Sequence, residues 1–422
     1  MARILIHTFG SYGDLHPYLA IALELRQRGH HVTIATCPIY ADKIRAEGLH
    51  FLPARPDIPL EDTAFIQKIF DAKRGGEQVI RYVTAPIRET CHDLLQAVQE
   101  TDLIVTHPTS CAAVALAEQF RKPWVSTVLA PFSFFSEIDP PVIPNAPWLI
   151  KLRRLGPAPM RWVFHLGRSQ SRAWVQPVLD LRRELGLSAA HPLFEGQHSP
   201  QMVLALFSRA MATPQSDWPS QAQVTGFPFF DRHHEQPDRD PALETFLGAG
   251  PPPIVFTLGS SAVSVAGDFY RESLAAVERL RVRALFLTGP FVQDLPAQLP
   301  PGVLATQYAP HSAVFPRASV IVHQGGVGTT GQAMRSGRPS LIVPFGFDQF
   351  DNAERLRRLG MAEVLPRTRY NAARAESKLA GLLANRGVED TAQRIGIEVR
   401  AERGALEAAD AIENALDLSA AS

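Results

Sequence analysis

The sequence predicts an α/β protein made of two doubly wound units, each a parallel sheet wrapped by helices. Three observations predict it. The chain opens with strand, glycine turn, helix and strand in succession. The same order restarts after residue 250. And 422 residues exceed what one hydrophobic core ordinarily holds together.

The first unit is justified piece by piece. RILIHTF (3–9) is a short β-rich run and GSYGD (10–14) a glycine turn. LHPYLAIALELRQRG has apolar residues at helical spacing and stops at Gly29, a natural helix terminator. HVTIAT (31–36) is the next strand, which completes a βαβ unit and so requires a parallel sheet. LIVTH (103–107), the helix CAAVALAEQF and PWVSTV repeat the theme. In the second unit PPIVFTLGSSAVS echoes the opening ILIHTFGSYGD. ALFLT, SVIVH and SLIVP are further buried strands, separated by helices such as FYRESLAAVERL and NAERLRRLG. The expected division is an N-terminal domain over 1–230, a polar Pro/Gly-rich linker over 231–253, a C-terminal domain over 254–386, and C-terminal helices over 387–422 that can pack back on the first domain. Proline clusters between 123 and 160 and between 214 and 253 predict irregular surface segments there.

Composition excludes several classes. Lys plus Arg and Asp plus Glu both number 42, so no overall excess points to nucleic acid or an anionic membrane. Cys37, Cys91 and Cys111 are too few and too scattered for a disulfide framework or a metal site. No signal peptide is expected ahead of the first strand, and the apolar stretch WVSTVLAPFSFF is too short to cross a bilayer. A cytoplasmic protein without integral membrane association is the expectation.

Open α/β sheets bind ligands beyond the carboxyl ends of their strands. SVIVH ends on His323, so HQGGVGTTG lies at such an end. Gly325, Gly326 and Gly328 allow the backbone to approach a ligand, and the helix that follows offers free N–H groups and its positive end. This is a phosphate site by physical type, with His323 as an added donor; a tight strand-to-helix turn is the alternative reading. No GK[ST] follows, so it is not a Walker loop, and the spacing is not GxGxxG, so hydride transfer on a dinucleotide is poorly supported. Asp348 and Gln349 pair a carboxylate with an amide at a later strand end. That pair suits vicinal hydroxyls, and Asp348 also suits a helix N-cap. Phosphate site plus hydroxyl reader suggests a nucleotide-sugar.

The run YAPHSAVFPRASVIVHQGGVGTTGQAMRSGRPSLIVPFGFDQFDNAERLRRLG (308–360) resembles the donor-binding signature of family 1 glycosyltransferases, and GSYGDLHP with RGHHV matches the same family. PQSDWP, TGFPFFD and GDFYRESLAAVERL are similar to its bacterial branch, that of the rhamnolipid rhamnosyltransferase and related small-molecule and sterol glycosyltransferases. The resemblance implies the GT-B fold, two Rossmann-like domains facing a central cleft. It implies that Tyr308 stands in the place of a base-stacking Trp and that the Ala309 backbone pairs with the base. His323, the amides from Gly325 to Thr329 and Ser260 would hold the diphosphate; Asp348 and Gln349 would hold the sugar. Many UDP-sugar users of the family have a ribose-binding Glu where this chain has Gly331, which favours a dTDP-sugar over a UDP-sugar.

GSYGDLHP puts Asp14 in the turn after the first strand, where it can be a general base for an acceptor hydroxyl or a helix N-cap. The family's plant members have their catalytic histidine at the position of Asp14 and a supporting Asp where LIVTH has His107. A reversed pair of Asp14 with His107 is therefore expected, the imidazole either orienting the carboxylate or taking the proton itself. His16 is a second candidate base. Phe132, Phe134, Phe135 and Trp162 are candidate acceptor contacts, although any one of them can equally be core.

The function expected is an inverting, metal-independent transfer of a hexose or 6-deoxyhexose, rhamnose among them. The donor is a dTDP- or UDP-sugar, and the acceptor a hydroxyl of an apolar small molecule of hydroxy-fatty-acid, polyphenol or sterol type. No separate cofactor, metal or nucleic acid is expected, and peripheral membrane contact only if the acceptor is a lipid. A non-catalytic GT-B helper of a partner transferase and a nucleotide-sugar epimerase are the alternatives.

Overall fold

Short apolar runs flanked by Gly and Pro become the strands of two all-parallel sheets. The computed structural model describes residues 1–58, 62–71, 73–231, 240–290 and 295–420. The first sheet contains β1 (Arg3–His7), β2 (His31–Thr36), β3 (His50–Pro53), β4 (Leu103–Thr106), β5 (Trp124–Val128), β6 (Val203–Ala205) and β7 (Ala222–Val224), in the order β3-β2-β1-β4-β5-β6-β7. The second contains β8 (Ile254–Thr257), β9 (Ala284–Leu287), β10 (Val303–Thr306), β11 (Val320–His323), β12 (Ser340–Ile342) and β13 (Ala362–Val364), in the order β10-β9-β8-β11-β12-β13. The central strands β4, β5, β8, β9 and β11 are buried along their whole length, as helices on both faces of a parallel sheet require.

In each sheet the strand that opens the unit lies inside the sheet, and the order reverses beside it. The reversal falls between β1 and β4 in the first sheet and between β8 and β11 in the second. His7 is in register with Thr106 across the first pair, and Phe256 with Val322 across the second. The loops leaving each pair therefore start at one level and diverge, which opens a crevice at that point.

The chain divides into two compact units, Met1–Phe230 with Glu402–Ser422, and Asp231–Ala401. Part of the segment expected as linker, residues 232–239, lies outside the described residues. The rest contains a helix, Pro241–Gly248, capped by the Asp240 side chain. Its Leu243 and Leu247 join Val314 and Phe315 in a core of the second unit. The proline-rich stretch near 214–230 also differs from the surface segment expected. Trp218, Phe227 and Phe230 are buried, and Trp218 stacks on Phe134 at 4.0 Å between ring centroids. Aromatic side chains between the prolines find core partners, so the irregular backbone there is packed rather than solvated.

The two C-terminal helices part company. Arg386–Ala401 packs on the Val327–Ser336 helix of the second unit. The approach is backbone to backbone: a Cβ at Gly396 would lie 2.7 Å from Gly337 Cα. Arg400 caps the C-terminus of Val327–Ser336 by donating to the Arg335 carbonyl (2.6 Å). Gly404–Ala420 instead packs on the Tyr12–Gln27 helix of the first unit. There Arg28 bridges Asp410 and Glu413, both at 2.6 Å, and His30 bonds Glu413 at 2.8 Å.

Gly404 starts that last helix against backbone: a Cβ there would lie 2.5 Å from the Phe227 carbonyl. Gly404→Ala should therefore destabilise the docking of the final helix by about 2 kcal/mol. Gly381, with open space around it inside the Ala372–Ala384 helix, gives the opposite expectation: Gly381→Ala should stabilise by about 1 kcal/mol. Thermal melting and amide hydrogen exchange across 404–420 check both signs.

Candidate active site

In the second unit the expected donor residues all lie at the carboxyl ends of its strands, in strand ends, loops and the first turns of the helices that follow. His323 is the last residue of β11 and is fully buried. Its Nδ1 accepts a hydrogen bond from the Gly325 N–H (3.1 Å), so the ring proton resides on Nε2. That Nε2 is buried and has no hydrogen-bond partner among the described residues. Burial, helped by nearby His311, pushes the imidazole pKa down to about 3. The ring is therefore neutral near pH 7 and is a single N–H donor. An unpaired buried donor costs about 1–3 kcal/mol, a cost that a ligand oxygen placed at this atom would remove.

The loop after His323 is built to keep backbone exposed to that same place. Gly325 has φ +89°, and a Cβ on it would lie 2.9 Å from both the Gln349 carbonyl oxygen and Ile342 Cγ2. Gly326 is the N-cap of the Val327–Ser336 helix. The first backbone bond back into this helix is made by Thr330, so the N–H groups of Val327, Gly328 and Thr329 remain open. The turn after β8 closes on this loop: Gly259 has φ +63°, and a Cβ there would sit 2.3 Å from Gln324 Nε2. Ser260 is exposed on that turn. Gln324, which the sequence reading did not single out, is buried. Its amide nitrogen lies 3.5 Å from Thr329 Oγ1, and its carbonyl oxygen has no partner among the described residues. After β10, Tyr308 is partly exposed and burial raises its pKa, with Asp231 adding to the effect. Ala309 is buried, and its peptide N–H and C=O make no hydrogen bond among the described residues.

The Asp-Gln pair is more constrained than expected. The Gln349 side-chain oxygen accepts from the Phe345 and Gly346 N–H groups (2.8 and 3.1 Å) and so pins the loop after β12. Only its amide N–H groups remain for a hydroxyl, so Gln349 donates and does not also accept. Asp348 occupies the N-cap position but makes no capping bond. Its Oδ2 accepts instead from Asn352 Nδ2 (2.8 Å), which also donates to the Gly325 carbonyl (2.9 Å). Asn352 thus ties the glycine loop after His323 to Asp348. It stands four residues after Asp348, one helical turn on, in DQFDN; that spacing was the available signal. Gly331 lies on the buried side of its helix.

In the first unit a side chain from beyond β1 meets one from beyond β4. Asp14 is not the N-cap; Ser11 is, and Asp14 is the third helical residue of a capping box. Its Oδ2 accepts from the Ser11 N–H (2.7 Å), while Oδ1 lies 3.4 Å from His107 Nε2. His107 Nδ1 accepts from the Thr109 N–H (3.1 Å), so its proton is on Nε2 and points at Asp14. Gly10 makes room for the carboxylate: with φ +138°, a Cβ on it would lie 2.2 Å from Asp14 Oδ2. His16 is not brought to this pair. Two residues along a helix face different ways, and His16 packs with Tyr12 and Phe230. His7, the last residue of β1, is a neighbour that the sequence reading passed over. It is buried, with Nδ1 unpartnered among the described residues, and burial, reinforced by His107, depresses its pKa to about 3.

The aromatic candidates divide. Phe132 and Phe135 lie 5.4 Å apart after β5, and Phe135 also meets Phe164 and Phe194. Phe134 turns into the core against Trp218. Trp162 is not part of the cluster: it stands out from the Ala158–Ser171 helix.

Two family models match the chain. "Glycosyltransferase family 28 N-terminal domain" covers residues 4–133, and "Erythromycin biosynthesis protein CIII-like, C-terminal domain" covers 290–415. The chain is 30% identical to the O-mycaminosyltylonolide 6-deoxyallosyltransferase of Streptomyces fradiae, over 97% of each protein. The chain belongs to the GT-B glycosyltransferases. This glycosyltransferase is also 28% identical to the sterol 3-beta-glucosyltransferase of Candida albicans, over 99% of its own length but 28% of that protein's. The crystal structure of glycosyltransferase VinC in complex with dTDP shares its fold, with a TM-score of 0.71 and 21% identity over 99% of this chain and 100% of that one. It is a nucleotide-sugar-dependent enzyme of that fold. Among the described residues no helix is long and apolar enough to cross a membrane.

His7 and His323 both have folded pKa values near 3, against an ordinary 6.5. Above pH 6.5 neither the folded nor the unfolded chain binds these protons; between 6.5 and 3 only the unfolded chain does. The stability they contribute is thus present above pH 6.5 and is lost progressively as pH falls toward 3. His323→Gln should show a smaller drop in melting temperature than the wild type between about pH 7 and about pH 4.5. Parallel curves for the two proteins would contradict the buried neutral ring.

Proposed function

We propose that this glycosyltransferase moves a hexose or 6-deoxyhexose from a dTDP-sugar, in preference to a UDP-sugar, to a hydroxyl of an apolar acceptor, with inversion and without a metal ion. The observation that carries the proposal is the buried, unpaired Nε2–H of His323 beside the open N-terminus of the Val327–Ser336 helix. A diphosphate supplies the acceptor oxygens that these donors lack. Tyr308 stacks on the base, the Ala309 peptide pairs with it, and Ser260 adds a hydroxyl at the phosphates. Asp348 accepts from the sugar hydroxyls and the Gln349 amide donates to them.

Asp14 is the general base. Its Oδ1 takes the proton of the acceptor hydroxyl, the freed oxygen forms a bond to the anomeric carbon, and the bond from that carbon to the diphosphate oxygen breaks. Charge building on the departing nucleoside diphosphate is met by His323 and the helix amides. One displacement from the face opposite the leaving group inverts the configuration. His107 keeps its proton on Nε2 because the Thr109 amide holds Nδ1, which favours the orienting role over the proton-accepting one. His107 is thus a positioning residue.

Gly331 supports the dTDP preference, since no carboxylate is there for a ribose 2′-hydroxyl. The thymidine nucleotide of VinC and the 6-deoxyhexose in the name of the Streptomyces fradiae enzyme support it further. Tylonolide and sterol in the names of the relatives, with the Phe132–Phe135–Phe164 cluster, support a bulky apolar alcohol as acceptor.

Thermal melting with dTDP and with UDP tests the donor. Stabilisation by dTDP that is lost in His323→Ala is expected; stabilisation by UDP alone would overturn the preference. Asp14→Asn should keep the dTDP shift and lose turnover by roughly 10²–10⁴-fold. Full turnover in that variant would remove Asp14 as base.

A further inference from the structure

The segment Ile138–Arg172 of the first unit presents apolar side chains outward. In the Ala158–Ser171 helix, Met160 and Ser171 are buried, while Trp162 and Leu166, one turn apart, face out at 67% and 43% exposure. The Pro147–Leu155 turn packs on this helix and adds Trp148 (63%) and Leu155 (73%); Ile138 (48%) precedes it. Trp124 and Trp218 are buried and Trp174 is half-buried, so the two outward tryptophans of the chain both belong to this segment. The chain as a whole is formally neutral. This stretch nonetheless carries Lys151, Arg153, Arg154, Arg161, Arg168 and Arg172 against Asp139 alone. Glu137 holds Arg161 and Glu195 holds Arg168. Lys151, Arg153, Arg154 and Arg172 form no ion pair among the described residues.

We propose that this face docks on an anionic lipid surface. Aromatic and leucine side chains enter the headgroup boundary, and the surrounding cations meet the lipid charge. Two features favour lipid over a protein partner. The surplus charge is of one sign and borne on long side chains, and both outward tryptophans of the chain lie among these cations. Phe164, two residues from Trp162, reaches the opposite side of the helix to meet Phe135. The same helix thus has a lipid face outside and the aromatic cluster beneath. The proposal goes beyond the transferase reading and does not depend on it.

The test is sedimentation of the full chain with phosphatidylcholine vesicles, and with vesicles carrying about one-third phosphatidylserine. Binding to the anionic vesicles is expected, weakening steeply as salt rises. Trp148→Ser/Leu155→Ser and Arg153→Glu/Arg154→Glu should each weaken it by roughly tenfold or more. Their melting temperatures should stay at the wild-type value, because all four side chains are exposed. Absence of wild-type binding to anionic vesicles would overturn the proposal, as would variants that bind like the wild type. A concentration-dependent dimer that dissociates in Trp148→Ser/Leu155→Ser would make the face a contact between copies and also overturn it.

Discussion

The reversal of strand order inside each parallel sheet is the constraint on which the rest depends. Parallel strands need crossover helices, and crossovers that leave the opening strand in opposite directions must pull two neighbouring loops apart. β1 and β4 are such a pair, as are β8 and β11. Asp14 and His107 leave the first pair; the Gly259 turn and the His323 loop leave the second. Neither site is assembled by long side chains reaching across the fold. Each is made by backbone direction; a Cβ at Gly259 or Gly325 would strike a neighbouring loop, and one at Gly10 would strike the Asp14 carboxylate.

Both units use the same small device to aim an imidazole. A histidine closes or immediately follows a strand, and the N–H two residues on donates to its Nδ1: Gly325 for His323 and Thr109 for His107. The tautomer is thereby set by backbone, and Nε2–H points away from the strand. What the device does depends on the surroundings. His323 has no partner for that proton in a dry place, which suits an anionic ligand. His107 finds a carboxylate 3.4 Å away, which suits holding a base in one orientation. The shared motif follows from shared topology and requires no similarity of chemistry.

Much of this was legible in the residues, and the failures have physical causes. Central strands are continuous apolar runs because they are buried on both faces, so RILIH, LIVT, IVFT and VIVH announce themselves. His50–Pro53, Ala222–Val224, Val303–Thr306 and Ala362–Val364 are the edge strands of the two sheets and only partly buried, so they lack a continuous apolar run. Strand ends marked Asp14, His107 and His323 as site candidates, but their neighbours depended on strand order, which no local pattern encodes. The commitment of the Gln349 oxygen to two amides arises from the loop at Phe347, whose φ of +55° is not foreseeable for that residue type. Trp162 was grouped with the phenylalanines by composition; helical phase, which separates it from Phe164, would have divided them.

The first unit is discontinuous in sequence, since residues 402–422 complete it after the whole of the second unit has been made. During synthesis the second unit can therefore reach its native state as soon as residue 401 clears the ribosome. The helix bearing Asp14, made earlier, waits for its neighbour until residues 404–420 have emerged as well. A nascent chain should thus finish the unit that carries His323 before the unit that carries Asp14.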